Sequence, residues 1–174
     1  MSEVFSHPIR AATVKETPQE HLIVVDGPAR AALAAAFGLP GIPALQGHFK
    51  LVHEQGGVIA ATLRLKSKVT QTCVITLEPF QARLDETAAL RFVPAREILE
   101  GEELEIDPET LEGPDEIPYS GESIDLGAAL AEQLALSLDP YPRRPGAKLP
   151  EGLEDAAENP FAALAARIAP QKPS

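Results

Sequence analysis

Tryptophan is absent from this sequence, tyrosine occurs twice, and cysteine and methionine occur once each. A single cysteine, Cys73, excludes an internal disulfide and any multi-thiolate metal site within one chain, which agrees with a reducing compartment. Long apolar runs are missing too. The longest, "AALAAAFGLPGIPAL", is interrupted by Gly38, Pro40, Gly41 and Pro43, whereas a membrane span needs roughly 20 apolar residues. The opening "MSEVFSHPIRAATV" lacks the apolar core of a signal peptide. These absences lead to the expectation of a soluble, cytoplasmic protein without a membrane partner. The last absence is of one sign of charge: no Lys or Arg occurs between residues 97 and 142.

The 174 residues, 44% of them hydrophobic, suit a single domain with a real core over 1–146, followed by a mobile tail over 147–174. A formal charge of -11 disfavours nonspecific attraction to nucleic acid phosphates, those of DNA included, and to anionic membranes, and favours basic partners. That average hides an asymmetry. Fourteen of the 26 acidic residues fall between 97 and 142, so the rest of the chain is slightly basic. Glu100, Glu102, Glu103, Glu105, Asp107 and Glu109 form the densest part of the acidic run, a candidate surface for a basic partner. With Pro108, Pro114 and Pro118 and few apolar anchors, residues 97–123 read mostly as an acidic loop, with a short strand at "LEID".

Before that loop the apolar residues follow the period of strands. "HPIRAATV" reads as an edge strand and "EHLIVVD" as a stronger, β-branched one. "GPARAALAAAFGLPG" reads as a helix over 28–38, with Pro28 in its first turn and Gly38 as its stop. "ALQGHFKLVHE" and "GVIAATLRLKSKVTQTCVITLEP" flank "QGG", a hairpin turn. Leu63, Leu65, Val69, Cys73, Ile75 and Leu77 share one parity, which predicts one buried sheet face. "FQARLDETAALRFVP" continues as one or two strands. A second helix is expected over 125–138, capped by Asp125, with Leu126, Leu130, Leu134 and Leu138 in one stripe. Pro140, Pro142 and Pro145 end it and lead into a basic strap. In the Pro-rich tail, "NPFAALAARI" predicts a short helix near 160–168.

Little in the sequence points to catalysis. Cys73 has the parity of a buried core thiol. His7, His21, His48 and His53 lack metal-ligand spacing, so no metal or cofactor is expected. No nucleophile elbow, phosphate loop or zinc-protease motif is present. Two basic features remain as candidate contacts for RNA or another partner. Arg64, Lys66 and Lys68 alternate on the polar face of one strand, and Arg143 and Arg144 follow the second helix. Neither has the interleaved aromatics that stack bases.

"QTCVITLEPF", the acidic loop, "IDLGAALAEQLALSLDPYPRRPGA" and the terminal "NPFAALAARI", in that order, resemble the bacterial YceD family of large ribosomal RNA subunit accumulation proteins. The resemblance implies a non-enzymatic ribosome biogenesis factor. Its role would be to support accumulation of large-subunit (23S) ribosomal RNA, through a ribosomal protein, the rRNA or both. Some relatives carry a second cysteine three residues after the first and more cysteines following the helix, suggesting zinc. Here Thr76 and "DPYPRRPGA" stand in those places. The expected fold is α+β: a bent antiparallel sheet, able to curl toward a barrel, with two packed helices. The competing expectation is a small-molecule-binding protein or enzyme with a pocket in that sheet.

Overall fold

The computed structural model describes residues 5–95 and 113–148. Strands β1 (Pro8–Arg10) and β2 (Gln19–Val24) precede helix α1 (Gly27–Ala36). Strands β3 (Gly41–His53), β4 (Ile59–Thr72) and β5 (Pro79–Pro94) follow, then β6 (Asp115–Tyr119), β7 (Ser123–Asp125) and helix α2 (Leu126–Ser137). The main sheet has the order β2-β3-β4-β5-β6, and β1 pairs with β7 in a separate two-stranded ribbon.

Three long strands form because apolar and polar residues alternate along them and tight turns join them. Gln55–Gly57 closes the β3–β4 hairpin, with Gly56 and Gly57 at φ 75° and 78°, a backbone region that glycine enters without steric cost. Along β4 the odd-numbered residues from Ile59 to Gln71 are all buried, while Thr62, Arg64, Lys66, Lys68 and Thr72 are exposed. The buried set meets Phe49 and Leu51 of β3 and Leu90 and Phe92 of β5 in one core cluster.

Both helices contribute to that same cluster, α1 through Leu33 and Ala34 and α2 through Leu126, Ala129, Leu130 and Leu134. Each is capped by an aspartate: Asp26 accepts from the Ala29 N–H (2.8 Å) and Asp125 from the Ala128 N–H (3.0 Å). Leu130 sits over β3 at a position that only glycine leaves open, since a Cβ on Gly47 would lie 2.8 Å from its Cδ1. Among the described residues the architecture is therefore two layers, with helices on one sheet face and none of these residues covering the other.

Several expectations need correction. The sheet does not close toward a barrel: β2 and β6 end it as two separate edges. It is mixed rather than antiparallel, because β6 runs parallel to β5. β6 also falls inside the stretch read mostly as loop, and β7 starts at its last residue, Ser123. Pro118 in β6 argued against a strand, but β6 is an edge, where a missing N–H is tolerated. The odd parity that ran to Leu77 stops being strand at Thr72. Leu77 lies in a turn at φ 57° and is 76% exposed. "LEID", the densest acidic run and the terminal helix near 160–168 lie outside the described residues.

Candidate functional site

The uncovered face is built by register. Lys50 of β3 lies opposite Thr62 of β4, and Arg64, Lys66 and Lys68 lie opposite His48, Gln46 and Ala44. On the other side of β4, Lys66 faces Asp85, Lys68 faces Arg83 and Ala60 faces Arg91. Six basic side chains thus project from β3, β4 and β5, against Glu20, Glu54, Asp85 and Glu116 as the acids lying with them among the described residues. A locally positive surface on a chain of net charge -11 requires that the acids be gathered elsewhere.

Three of these bases are held in ion pairs. Arg64 reaches Asp85 with two nitrogens, Nε to Oδ1 at 3.1 Å and a terminal nitrogen to Oδ2 at 3.2 Å. Lys66 approaches the same carboxylate at 3.8 Å. The Arg64 guanidinium holds the Asp85 carboxyl below its ordinary range, and Asp85 raises Arg64 in turn. Arg91 pairs with Glu54 (2.9 Å) and Glu116 (3.7 Å). Lys50, Lys68 and Arg83 make no ion pair among the described residues.

A register shift between Gly41 and Ala44 puts a bulge in β3, and Pro43 and Ala44 are consecutively exposed there. Bulges bend a strand and re-aim its side chains. Beside it lies a hollow of about 440 Å³ lined by Arg30, Lys66, Ser67, Lys68, Arg83 and Asp85 together with Val24, Ala44, Leu45, Gln46 and Leu84. A second hollow of about 530 Å³ shares Gln46 and Lys66 and extends to His48, Arg64, Glu20 and Leu22. Among the described residues this face carries no Phe, Tyr or Trp and His48 is its one aromatic ring, so it suits anionic groups better than a stack of successive bases.

Arg143 and Arg144 lie elsewhere. The strap that follows α2 folds against the β4–β5 turn. The Val74 N–H donates to the Pro142 carbonyl (2.9 Å), the Gln71 side chain to the Asp139 carbonyl (3.1 Å) and the Arg144 N–H to Cys73 Sγ (3.4 Å). Cys73 is fully buried, as its parity predicted. Hydrogen bonds from the Thr76 side chain first, then from the Arg144 backbone, hold its thiol at about 6 against burial, which acts to raise it. The Arg144 guanidinium pairs with Glu78 at 2.6 Å, and Arg143 is exposed. The two basic features are thus different surfaces, one an open sheet face and the other a strap latched to a turn.

Sequence reasoning found Arg64, Lys66 and Lys68 but missed Lys50, Arg83 and Arg91. For the last two the signal lay in β5, where Arg83, Asp85 and Arg91 share one parity and Leu84, Ala88 and Leu90 the other, although Glu86 interrupts it, and only the register shows which strand they face.

Among the described residues no group of three or more His, Cys, Asp or Glu could hold a metal ion, and no helix is long and apolar enough to cross a membrane. No curated protein and no solved structure gives a significant match to the chain. The family model of the large ribosomal RNA subunit accumulation protein YceD matches residues 61–166, more than half of the chain, taking in most of β4 and all of β5, α2 and the strap. The chain belongs to the YceD family.

Proposed function

We propose that this protein is a non-enzymatic ribosome biogenesis factor that works in the cytoplasm and supports accumulation of large-subunit 23S ribosomal RNA. Family membership supplies the process, and the family description names no catalytic activity. The observation that carries a contact with RNA is the uncovered basic sheet face on an otherwise acidic chain. A solvated sheet face needs polar residues, but it does not need six bases to four acids. The acidic run containing Glu100, Glu102, Glu103, Glu105, Asp107 and Glu109 offers the opposite charge to a basic ribosomal protein. Together the basic face and the acidic stretch of sequence suit a factor that meets RNA and protein at once.

Depletion of the protein should lower 23S relative to 16S RNA in growing cells. Capture of the tagged protein should recover large-subunit rRNA or a large-subunit protein above an untagged control. Unchanged 23S levels after complete depletion would sink this reading.

A further inference from the structure

Lys68 and Arg83 are direct cross-strand partners in the antiparallel β4–β5 ladder. Like charges placed directly opposite one another destabilise a sheet, and among the described residues no carboxylate pairs with either to offset the repulsion. The one acid in the same hollow, Asp85, is already shared by Arg64 and Lys66. Arg30 adds a fourth cation to the lining while its side chain donates to the Ile42 and Val25 carbonyls. Four cations and one carboxylate around a hollow of about 440 Å³ form a site with an excess of positive charge, beside a bulge that opens it.

We propose that this hollow is a phosphate-binding site, with Lys68 and Arg83 as its anchors, and that the phosphate it takes belongs to an RNA backbone. The sign of the charge selects an anion. The planar fork of Arg83 matches two phosphate oxygens, and Lys68 supplies a compact charge from the adjacent strand. The choice of a polyanion over a lone phosphate comes from β4. Arg64, Lys66 and Lys68 repeat every second residue, at steps of about 6.6–6.8 Å, and the second hollow continues from the first through Lys66. With His48 as the one aromatic ring on this face among the described residues, the contact is one to backbone rather than to a run of stacked bases. The inference rests on the reading of the protein as an RNA-contacting factor, and it names the site.

The test uses the full chain and a short fluorescein-labelled RNA duplex as probe, titrated across salt concentrations. Lys68→Gln with Arg83→Gln should weaken binding about tenfold at low salt and reduce the slope of log K against log salt by roughly 0.7–0.9, one phosphate contact. The melting temperature of the double variant should stay level or rise, because a like-charge pair has been removed. Arg10→Gln, on β1 in the separate ribbon and outside this face, should bind as the wild type does. Equal affinity and slope for double variant and wild type overturn the proposal. So does a variant-sensitive stabilisation by inorganic phosphate without any variant-sensitive RNA binding, which assigns the hollow to a small phosphate compound. Loss of duplex binding in a variant that still sustains normal 23S levels leaves the site standing and removes its role in the large subunit.

Discussion

The Arg144 backbone N–H points at the sulfur of Cys73 from 3.4 Å, although 71 residues separate them in the chain. The strap is held by its backbone, while the Arg144 side chain makes only an exposed pair with Glu78. Replacing Arg143 and Arg144 together by serine should therefore change stability by less than about 1 kcal/mol. Cys73→Ala removes the acceptor and should cost about 1–3 kcal/mol in denaturant unfolding. Iodoacetamide should reach Cys73 only when the fold opens, because access limits even a readily ionised thiol. Rapid alkylation of the native protein would show that the strap does not cover it.

Gly127 gives a second test. A Cβ there would lie 2.5 Å from the His7 nitrogen and 2.7 Å from the Ser6 carbonyl carbon, so the N-terminal segment crosses directly over the first turn of α2. Alanine normally favours a helix by about 0.8–1 kcal/mol over glycine. Here the clash is with backbone on the far side, which has no rotamer to move. Gly127→Ala should instead destabilise by about 1–3 kcal/mol, read as a lowered denaturant midpoint. A raised midpoint would place the N-terminal segment away from the helix.

Leu130 and Gly47 should behave as a coupled pair. Leu130→Ala should cost about 2–5 kcal/mol as a buried truncation. Gly47→Ala alone should cost about 1–3 kcal/mol by forcing Leu130 aside. In the double variant the new methyl at position 47 enters the vacated space, so the combined loss should be less than the sum, by about 0.5–3 kcal/mol. Strict additivity in a double-mutant cycle would rule out the contact.

Asp125 sets an acid limit. Burial acts to raise its pKa, but hydrogen bonds from Ser6, His7, Ala128 and Gly127 outweigh it and leave the carboxyl below its ordinary value. The ionised form is thus favoured by folding. Its stabilisation is complete above the unfolded value, about 3.9, and is lost as pH falls through the lower folded value. Asp125→Asn should be less stable at neutral pH, and its stability should fall less than that of the wild type below about pH 4. Parallel pH profiles for the two proteins would contradict the cap.

Asp85→Asn frees Arg64 and Lys66 at once. Because the pairs are exposed, unfolding free energy should shift by less than about 1 kcal/mol. Binding of the RNA duplex should tighten, most clearly at low salt. Weaker binding after this substitution would mean that Asp85 orients the bases rather than masking them.

What the sequence determined by itself is local. The cap at Asp125, the proline stop after α2, the hairpin at Gln55–Gly57 and the alternation along β4 each depend on residues within a turn or two of one another. Short-range sterics and hydrogen bonds decide such features wherever the segment sits. The burial of Cys73 followed from the same alternation. The tertiary structure decided what is lateral. That β6 lies parallel to β5 at an open edge, and that α2 settles over Gly47, depend on residues far apart in the chain and on the area they bury together. The same holds for the candidate site. Alternation placed Arg64, Lys66 and Lys68 on one face of a strand, but pairing with β5 decided which of them Asp85 would neutralise and which would be left facing Arg83. A charge on a strand is a property of sequence, whereas the charge opposite it is set by register, and register is fixed only when the sheet and its core assemble.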